Sequence, residues 1–239
     1  MEIIKCRDYD AMSIRAAQIF EEVVNAKPDC VLGLATGSTP LGLYKKLIED
    51  HKAGKIDFSR CTSVNLDEYV GLGENDDQSY RYFMNTNLFD HINIDKAKTF
   101  VPNGLESDAY RACRDYEDIL EKVGPQDIQV LGLGENGHIA FNEPETYFPK
   151  ETHCVDLTES TIEANARFFE NPDKVPRHAY SMGIGSIFRA KKIILLASGV
   201  KKSRALAEAL YGPIIPQLPA SILQLHSDVV VVCDDAALK

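Results

Sequence analysis

Three side chains that can take part in proton transfer follow the end of one apolar segment. Residues 128–133 are mostly apolar, glycines interrupt the chain after them, and Asn136, His138 and Glu143 come next. An imidazole with its ordinary pKa near about 6.5 can take and return a proton at neutral pH, and a neighbouring acid or amide can orient it. Open α/β sheets bind ligands outside the carboxyl ends of their strands. The spacing therefore predicts acid–base chemistry at this edge.

A pair of acids stands at the end of another apolar segment. Residues 61–66 favour a strand, and Asp67 and Glu68 follow it immediately. One interpretation is structural, because an acid at this place can cap a helix or lie in a surface turn. The other is chemical, because a carboxylate at a strand end can act as a general base on a bound molecule. The two residues alone leave both interpretations open.

A hydroxyl-rich turn joins a short strand at 30–34 to a segment with helical spacing at 41–48, and Pro40 lies near the first helical position. Backbone N–H groups, hydroxyls and the positive end of the following helix together form an anion site. With the two groups of acid–base residues, this turn indicates chemistry on a small phosphorylated molecule. The candidate ligands in the turn are Thr36, Gly37, Ser38 and Thr39.

Sequence context disfavours three other kinds of site. Gly132, Gly134 and Gly137 have the spacing of a dinucleotide-binding fingerprint, but residues 139–144 hold a proline and lack the helical period that the fingerprint needs. No pair of histidines has the spacing of a zinc site. No Gly-x-Ser-x-Gly elbow precedes a helix, which argues against a serine hydrolase. We therefore expect neither a nicotinamide cofactor nor a metal.

The elements that must position these residues alternate along the chain. Helical spacing occurs at 8–25, 41–48, 80–89, 107–122, 158–169 and 205–210, and strands are predicted at 30–34, 61–66, 128–133, 193–197 and 228–233. Residues 145–158 have no clear period and are interpreted as a loop or lid. Continuously apolar strands between helices are typical of a parallel sheet covered on both faces. We predict one Rossmann-like, doubly wound α/β domain over residues 1–239, with a helical lid.

The composition limits the partners of this chain. There are 36 Asp and Glu against 26 Lys and Arg, a formal net charge of -10, which argues against a nucleic-acid surface and an anionic membrane. The first residues lack the pattern of a signal peptide, and no apolar run approaches the roughly 20 residues that span a bilayer. The 6 cysteines are scattered without a Cys-x-x-Cys pair. We expect a cytoplasmic protein with reduced thiols.

Several motifs together resemble those of the glucosamine-6-phosphate deaminase family. The three most specific ones lie at 32–40, 65–72 and 132–144, and further similarity occurs at 165–169, 199–206 and 223–228. The resemblance covers nearly the whole chain in the right order. It implies the conversion of glucosamine 6-phosphate and water to fructose 6-phosphate and ammonia, in amino sugar catabolism. It also implies that no metal or organic cofactor is required.

The resemblance assigns roles residue by residue. Asp67 matches the base that removes the C2 proton and returns one at C1, and His138 matches the group that moves the proton during ring opening. Glu143 matches the acid that orients this histidine, and Asn136 lies beside it. The phosphate would lie on the turn formed by residues 36–40. Its cationic ligands would be Arg167 and Lys202.

The sequence departs from the family pattern at two places. Position 136 is Asn where many members carry Asp, so Glu143 is the acid of the family pattern that remains for His138. Residues 145–156 lack the Arg and Lys pair of members that an activating sugar phosphate regulates, and the sequence ends soon after Asp235 without their C-terminal extension. We expect no activation by N-acetylglucosamine 6-phosphate. The choice between a monomer and a homo-oligomer stays open.

Two rival functions remain. The first is 6-phosphogluconolactonase, a hydrolase on a similar fold with a related Gly-x-Gly-x-x-Gly-His strand end; residues 67–71 and 140–144 favour the deaminase. The second is a non-catalytic sugar-phosphate sensor, such as the effector domain of a regulator. A sensor would not need both Asp67 and His138, and it would normally bring a basic DNA-binding domain, which this acidic chain lacks.

Overall fold

A computed structural model describes residues 1–166, 169 and 175–239 of the chain, and their strands form two sheets. The strands are β1 (Glu2–Cys6), β2 (Val31–Leu34), β3 (Thr62–Asn65), β4 (Asp67–Tyr69), β5 (Thr99–Phe100), β6 (Ile128–Gly132), β7 (His153–Asp156), β8 (His178–Ser181), β9 (Ile193–Ala197) and β10 (Val229–Asp234). The larger sheet has the order β1-β10-β9-β6-β2-β3-β5, with every pair parallel. The smaller sheet is antiparallel, in the order β4-β8-β7.

The helices connect and cover these strands. The α-helices are α1 (Tyr9–Ala26), α2 (Leu41–Lys52), α3 (Tyr80–Asn87), α4 (Ala109–Val123), α5 (Glu159–Ala166), α6 (Ile184–Ile187) and α7 (Ser203–Tyr211). Short 3-10 helices lie at Phe89–His91, Lys96–Lys98, Val200–Lys202, Pro219–Leu225 and Asp235–Leu238. Within the described ranges, none of the helices has the length and apolar character needed to cross a membrane.

Three inner strands of the large sheet are buried on both faces. All residues of β2, β9 and β10 are buried, and the runs of Val, Ile and Leu in them do not alternate with polar residues. This pattern arises when helices cover both faces of a parallel sheet. At the N-terminus of α1, the Asp8 side chain caps the helix by accepting a hydrogen bond from Ala11 N at 2.8 Å. The predicted doubly wound α/β fold is confirmed.

The chain adds strands to the large sheet in two opposite directions, and a crevice opens where the direction changes. From β2 the chain moves to β3 and β5 on one side, and from β6 it moves to β9 and β10 on the other. Since parallel crossovers are almost always right-handed, the two sets of connecting helices lie on opposite faces. β2 and β6 are neighbours, so the loops that leave their carboxyl ends diverge. Such a switch point is where doubly wound sheets bind ligands.

The smaller sheet was not predicted from the sequence. Residues 145–158 were expected to be a loop, but β7 occupies His153–Asp156 within them, and β4 and β8 also lacked a sequence signal. Each has only three or four residues, and β7 is partly exposed with an unremarkable mixture of side chains. Their hydrogen-bond partners are distant in sequence, as in the pair of His153 and Ser181. A period-based prediction requires longer runs than these.

The carboxylate of Glu117 ties α4 to this smaller sheet. Its Oε1 accepts hydrogen bonds from Thr152 N at 2.8 Å, Thr152 Oγ1 at 2.6 Å and Ser186 Oγ at 2.6 Å, and its Oε2 lies 2.8 Å from Arg189 Nη2. Burial alone would raise the pKa of Glu117, but these hydrogen bonds and the guanidinium lower it below its ordinary value. The ionised form is therefore the one that stabilises the fold.

The variant Glu117→Gln should lower the free energy of unfolding by about 2 kcal/mol at about pH 7, because hydrogen bonds to a charged acceptor are lost. A depressed carboxyl pKa contributes stability above the unfolded-state value, and the contribution disappears as the pH falls through the folded-state value. The difference from wild type should therefore shrink below about pH 4. Urea unfolding at both pH values measures it, with the exposed Glu121→Gln on the same helix as the control. An equal loss at both pH values would contradict the role of the charge.

Candidate active site

A cavity of about 670 Å³ opens at the carboxyl ends of β2, β3 and β6, where the winding of the sheet reverses. The predicted residues that line it are Thr36, Gly37, Ser38, Thr39, Asp67, Asn136, His138 and Lys202. Glu143 lies behind His138 and outside the lining. Arg167, the remaining predicted residue, falls outside the described residues. The structure thus brings together the strand ends and the turn that the sequence indicated.

Asp67 stands where the chain passes from the large sheet into the small one. Leu66 N donates to Leu34 O of the large sheet, Met182 N donates to Leu66 O, and Asp67 then pairs with Ser181 in the small sheet. The Asp67 side chain is only 6% exposed, and no described residue donates a hydrogen bond to its carboxyl group. Burial and the charge of Glu68 raise its pKa to about 8. The carboxyl group can therefore exchange a proton near neutral pH.

Glu68 has a structural role. Its Oε1 accepts from Tyr69 N at 2.8 Å and Tyr80 N at 2.9 Å, and its Oε2 accepts from Arg81 N at 2.9 Å. These donors include the first N–H groups of α3, which have no partner inside the helix. Burial raises the pKa of Glu68 to about 7 against the effect of these donors. The capping interpretation is thus correct for Glu68, while Asp67 faces the cavity.

Asn136, His138 and Glu143 form one cluster. Asn136 Nδ2 donates to Glu143 Oε2 at 2.7 Å, and His138 Nδ1 lies 3.4 Å from the same oxygen, which is close enough for an ion pair but is not aligned as a hydrogen bond. Asn136 Oδ1 also accepts from His138 N at 3.2 Å. Burial would raise the pKa of Glu143, but the adjacent His138 and the hydrogen bonds from Thr161 and Asn136 lower it to about 2. Glu143 is therefore an anion beside the His138 imidazole.

Steric contacts explain why glycine occupies positions 134 and 137 on either side of the turn before His138. A Cβ on Gly134 would lie 2.5 Å from the His138 ring, and a Cβ on Gly137 would lie 2.3 Å from Leu218. Gly137 also has φ +85, a conformation that favours glycine. Ala140, which lines the cavity, has φ 52 although it is not a glycine. The glycine spacing thus turns the chain so that the imidazole faces the cavity.

Tyr9 holds the hydroxyl-rich turn from outside. Its hydroxyl lies 3.1 Å from Ser38 O and 3.0 Å from Thr39 O, and it accepts from Gly42 N at 2.8 Å. Gly37 has φ +92, which lets the backbone turn before α2 begins. Across the cavity, Lys202 lies in a turn that Asp234 fixes by accepting from Gly199 N at 3.1 Å. Hydroxyls, a helix N-terminus and a lysine thus line the same cavity.

Sequence reasoning missed the contribution of the lid helix. Thr161 and Glu163 of α5 line the cavity, and Thr161 Oγ1 donates to Glu143 Oε1. The helical spacing at 158–169 predicts the helix but not this contact. Within the described ranges, no three His, Cys, Asp or Glu side chains converge as metal ligands.

The variant Asp67→Asn should unfold less readily than wild type. A carboxyl group whose folded-state pKa of about 8 exceeds its unfolded-state value costs free energy that is absent at low pH and grows until the pH reaches the folded-state value. The free energy of unfolding should exceed that of wild type by about 1–3 kcal/mol at about pH 7.5, and the difference should become smaller towards about pH 5. Urea unfolding at both pH values tests this, with the exposed Asp118→Asn as the matched control. A variant that is less stable than wild type at the higher pH would contradict the raised pKa of Asp67 and its lack of a hydrogen-bond donor among the described residues.

Comparisons with known proteins agree with this geometry. The family model described as glucosamine-6-phosphate isomerases/6-phosphogluconolactonase matches residues 9–232. A glucosamine-6-phosphate deaminase from Lachnoclostridium phytofermentans is 54% identical over 98% of this chain and 99% of its own length. The solved structure of a monomeric glucosamine-6-phosphate deaminase is 46% identical, covers 100% of both chains and has a TM-score of 0.97. A 6-phosphogluconolactonase from Thermotoga maritima is 22% identical over 98% of this chain and 99% of its own, with a TM-score of 0.78, a likeness of fold alone.

Proposed function

Because this chain belongs to the family of glucosamine-6-phosphate isomerases and 6-phosphogluconolactonases, we propose that it converts glucosamine 6-phosphate and water to fructose 6-phosphate and ammonia. The observation that carries this proposal is the placement of Asp67 and His138 on the wall of one cavity whose end is the turn at residues 36–39. An aldose–ketose conversion of a sugar phosphate needs these three parts. The reaction is a step of amino sugar catabolism.

The relatives support deamination over lactone hydrolysis. Proteins named glucosamine-6-phosphate deaminase are 46–54% identical to this chain over nearly its full length, whereas the lactonase likeness of 22% concerns the fold. The chemistry of the cavity points the same way. Hydrolysis of a lactone needs no base at a carbon atom, while the buried carboxyl group of Asp67 is suited to taking a proton from carbon and returning it.

The phosphate would lie on the turn of Thr36, Gly37, Ser38 and Thr39. Backbone N–H groups and the positive end of α2 favour an anion there, and Lys202 at the same end of the cavity supplies a cation. Arg167 is proposed as a second cation from the resemblance of its motif. Phosphate binding positions the reacting carbons at a distance from it, because binding energy from a remote group can be used for orientation.

Ring opening requires a proton to move from the anomeric hydroxyl to the ring oxygen. His138 faces the cavity with its side chain 23% exposed, so the imidazole can reach both oxygens of a bound sugar in turn. Glu143 remains ionised and stabilises the imidazolium that forms when His138 holds the proton. Asn136 fixes the carboxylate through its hydrogen bond at 2.7 Å. This arrangement lets one imidazole act first as base and then as acid.

The carbon chemistry follows on the open chain. Asp67 removes the C2 proton to form an enolamine and returns a proton at C1, which leaves an imine at C2. Water adds to this imine, and the C–N bond breaks to release ammonia and the C2 ketone of fructose 6-phosphate. A pKa of about 8 suits this role, because the carboxyl group must be a base in one step and an acid in the next.

A direct assay separates this function from both rivals. Incubation with glucosamine 6-phosphate should yield fructose 6-phosphate and ammonia in equal amounts. A lactonase would instead hydrolyse 6-phosphogluconolactone, and a sensor would bind the sugar phosphate without turnover. Absence of ammonia with a folded wild-type protein would refute the proposal.

Asp67→Asn should lower kcat roughly 10³-fold, within the range of a general base step, while KM stays within about threefold of wild type. The physical reason is that the amide cannot take the C2 proton, whereas the phosphate turn is untouched. Reaction in deuterium oxide gives a second readout, since the variant should not place solvent deuterium at C1. The exposed Asp118→Asn serves as the control. A variant that keeps most of its turnover would show that another group is the base.

The initial rate should depend hyperbolically on glucosamine 6-phosphate, with no change on adding N-acetylglucosamine 6-phosphate. The physical reason is that residues 145–156 lack the paired Arg and Lys of the regulated members. Sigmoidal kinetics that this ligand makes hyperbolic would contradict the prediction.

We also propose a cytoplasmic location, supported by cysteines that are all free thiols in the described structure.

A further inference from the structure

Glu143 receives hydrogen bonds from the lid helix as well as from its own loop. Thr161 Oγ1 donates to Glu143 Oε1, while Thr158 Oγ1 lies 3.3 Å from that oxygen and 3.0 Å from Thr161 Oγ1. A hydroxyl has a single proton, so Thr158 can serve only one of these two acceptors at a time. Thr161 directs its own proton to the carboxylate. It is therefore the lid group most directly bonded to Glu143.

The two carboxylate oxygens have separate partners. Oε2 faces Asn136 Nδ2 at 2.7 Å and His138 Nδ1 at 3.4 Å, whereas Oε1 faces the lid threonines. A carboxylate bonded through only one oxygen can rotate about its last bond. Hydrogen bonds to both oxygens prevent this rotation, so the hydroxyl of Thr161 determines where Oε2 stands relative to the imidazole.

Thr161 is also a polar residue at a buried position, where its hydroxyl needs a hydrogen-bond partner. Its side chain is 4% exposed, and it lies in α5 among residues that line the cavity. Beside it, Ile162 packs into an apolar cluster with Tyr69, Phe141 and Leu157. A buried hydroxyl without a partner would destabilise the fold, and here the partner is the acid that faces His138.

We propose that Thr161 is a positioning residue, which fixes the Glu143 carboxylate from the lid helix and thereby holds His138 in the orientation for proton transfer. This inference rests on the proposed function and deepens it by adding a residue that does not touch the substrate's reacting atoms. It links the seating of α5 to the ring-opening step. Ring opening then depends on the hydrogen bond that α5 supplies to Glu143.

The test uses paired substitutions that separate the hydroxyl from the shape of the side chain. Thr161→Val keeps the shape and removes the hydroxyl, while Thr161→Ser keeps the hydroxyl and removes the methyl group. Thr152→Val is the matched control, because it removes another buried threonine hydroxyl that donates to a carboxylate, that of Glu117, away from the cavity. All variants are compared as folded full-length chains.

Thr161→Val should lower kcat about tenfold with KM within about twofold, because a positioning group acts on the step and not on substrate binding. Thr161→Ser and Thr152→Val should both keep kcat within about threefold of wild type. The open-chain alditol made by reducing glucosamine 6-phosphate needs no ring opening, so its Kd should be the same in wild type and Thr161→Val. Equal losses in the Val and Ser variants would show that packing, and not the hydroxyl, matters.

A double-mutant cycle tests whether Thr161 acts through Glu143. In the Glu143→Gln background, Thr161→Val should change kcat by no more than about twofold, because the carboxylate that it positions is already absent. The same tenfold loss in both backgrounds would overturn the proposal.

A readout without turnover separates this proposal from the proposed function. The pKa of Glu143 is about 2, in part because of the bond from Thr161, so its carboxyl carbon should not titrate in NMR spectra of wild type or Thr161→Ser between about pH 7 and 4. In Thr161→Val it should begin to titrate there. This shift with no ammonia release by wild type would keep the positioning role and refute the function. Ammonia release by wild type, with neither the titration shift nor the loss of kcat in Thr161→Val, would keep the proposed function and refute the positioning role.

Discussion

The reversal of winding between β2 and β6 is the constraint on which the rest of the structure depends. Because these neighbouring strands send their chains to opposite sides of the sheet, the segments that leave their carboxyl ends diverge and a gap opens between them. The crevice that remains receives the turn at 36–39 from β2 and the glycine-rich segment from β6. Neither segment would form a cavity alone. The backbone hydrogen bonds of a parallel sheet thus place two distant motifs at one site.

Asp67 lines the cavity and Glu143 lies behind its wall, and the two carboxyl groups are in opposite electrostatic states. Asp67 is buried without a hydrogen-bond donor from the described residues, and its pKa rises to about 8. Glu143 is equally buried but has donors at both oxygens and an imidazole beside it, and its pKa falls to about 2. Burial acts on both in the same direction, so the partners decide the outcome. One carboxyl can carry a proton during a reaction, and the other remains an anion.

The small antiparallel sheet and α5 complete the site from the other side. β4 begins with Asp67, and its pairing with β8 turns the carboxyl group into the cavity. The aromatic rings of Tyr69, Tyr80 and Phe141 pack between this sheet and α5, with centroids 4.8–6.0 Å apart. Thr161 of α5 then reaches Glu143 over this apolar layer. The α5 helix therefore contacts the segments that carry both proposed acid–base residues, Asp67 and Glu143.

The sequence by itself predicted the parallel sheet, which the structure confirms, and it named the residues that we propose as the anion turn and the acid–base groups. These depend on local features: continuous apolar runs, glycines followed by a histidine, and hydroxyls before a helix. The residue types at 67 and 68 left both acids open, and the family resemblance assigned the base to Asp67. The tertiary structure supplies the physical difference, since Glu68 caps α3 while Asp67, paired with β8, faces the cavity. It alone brought Thr161 to Glu143, 18 residues apart. Burial and hydrogen bonding between distant segments set these states, and no local period in the sequence records them.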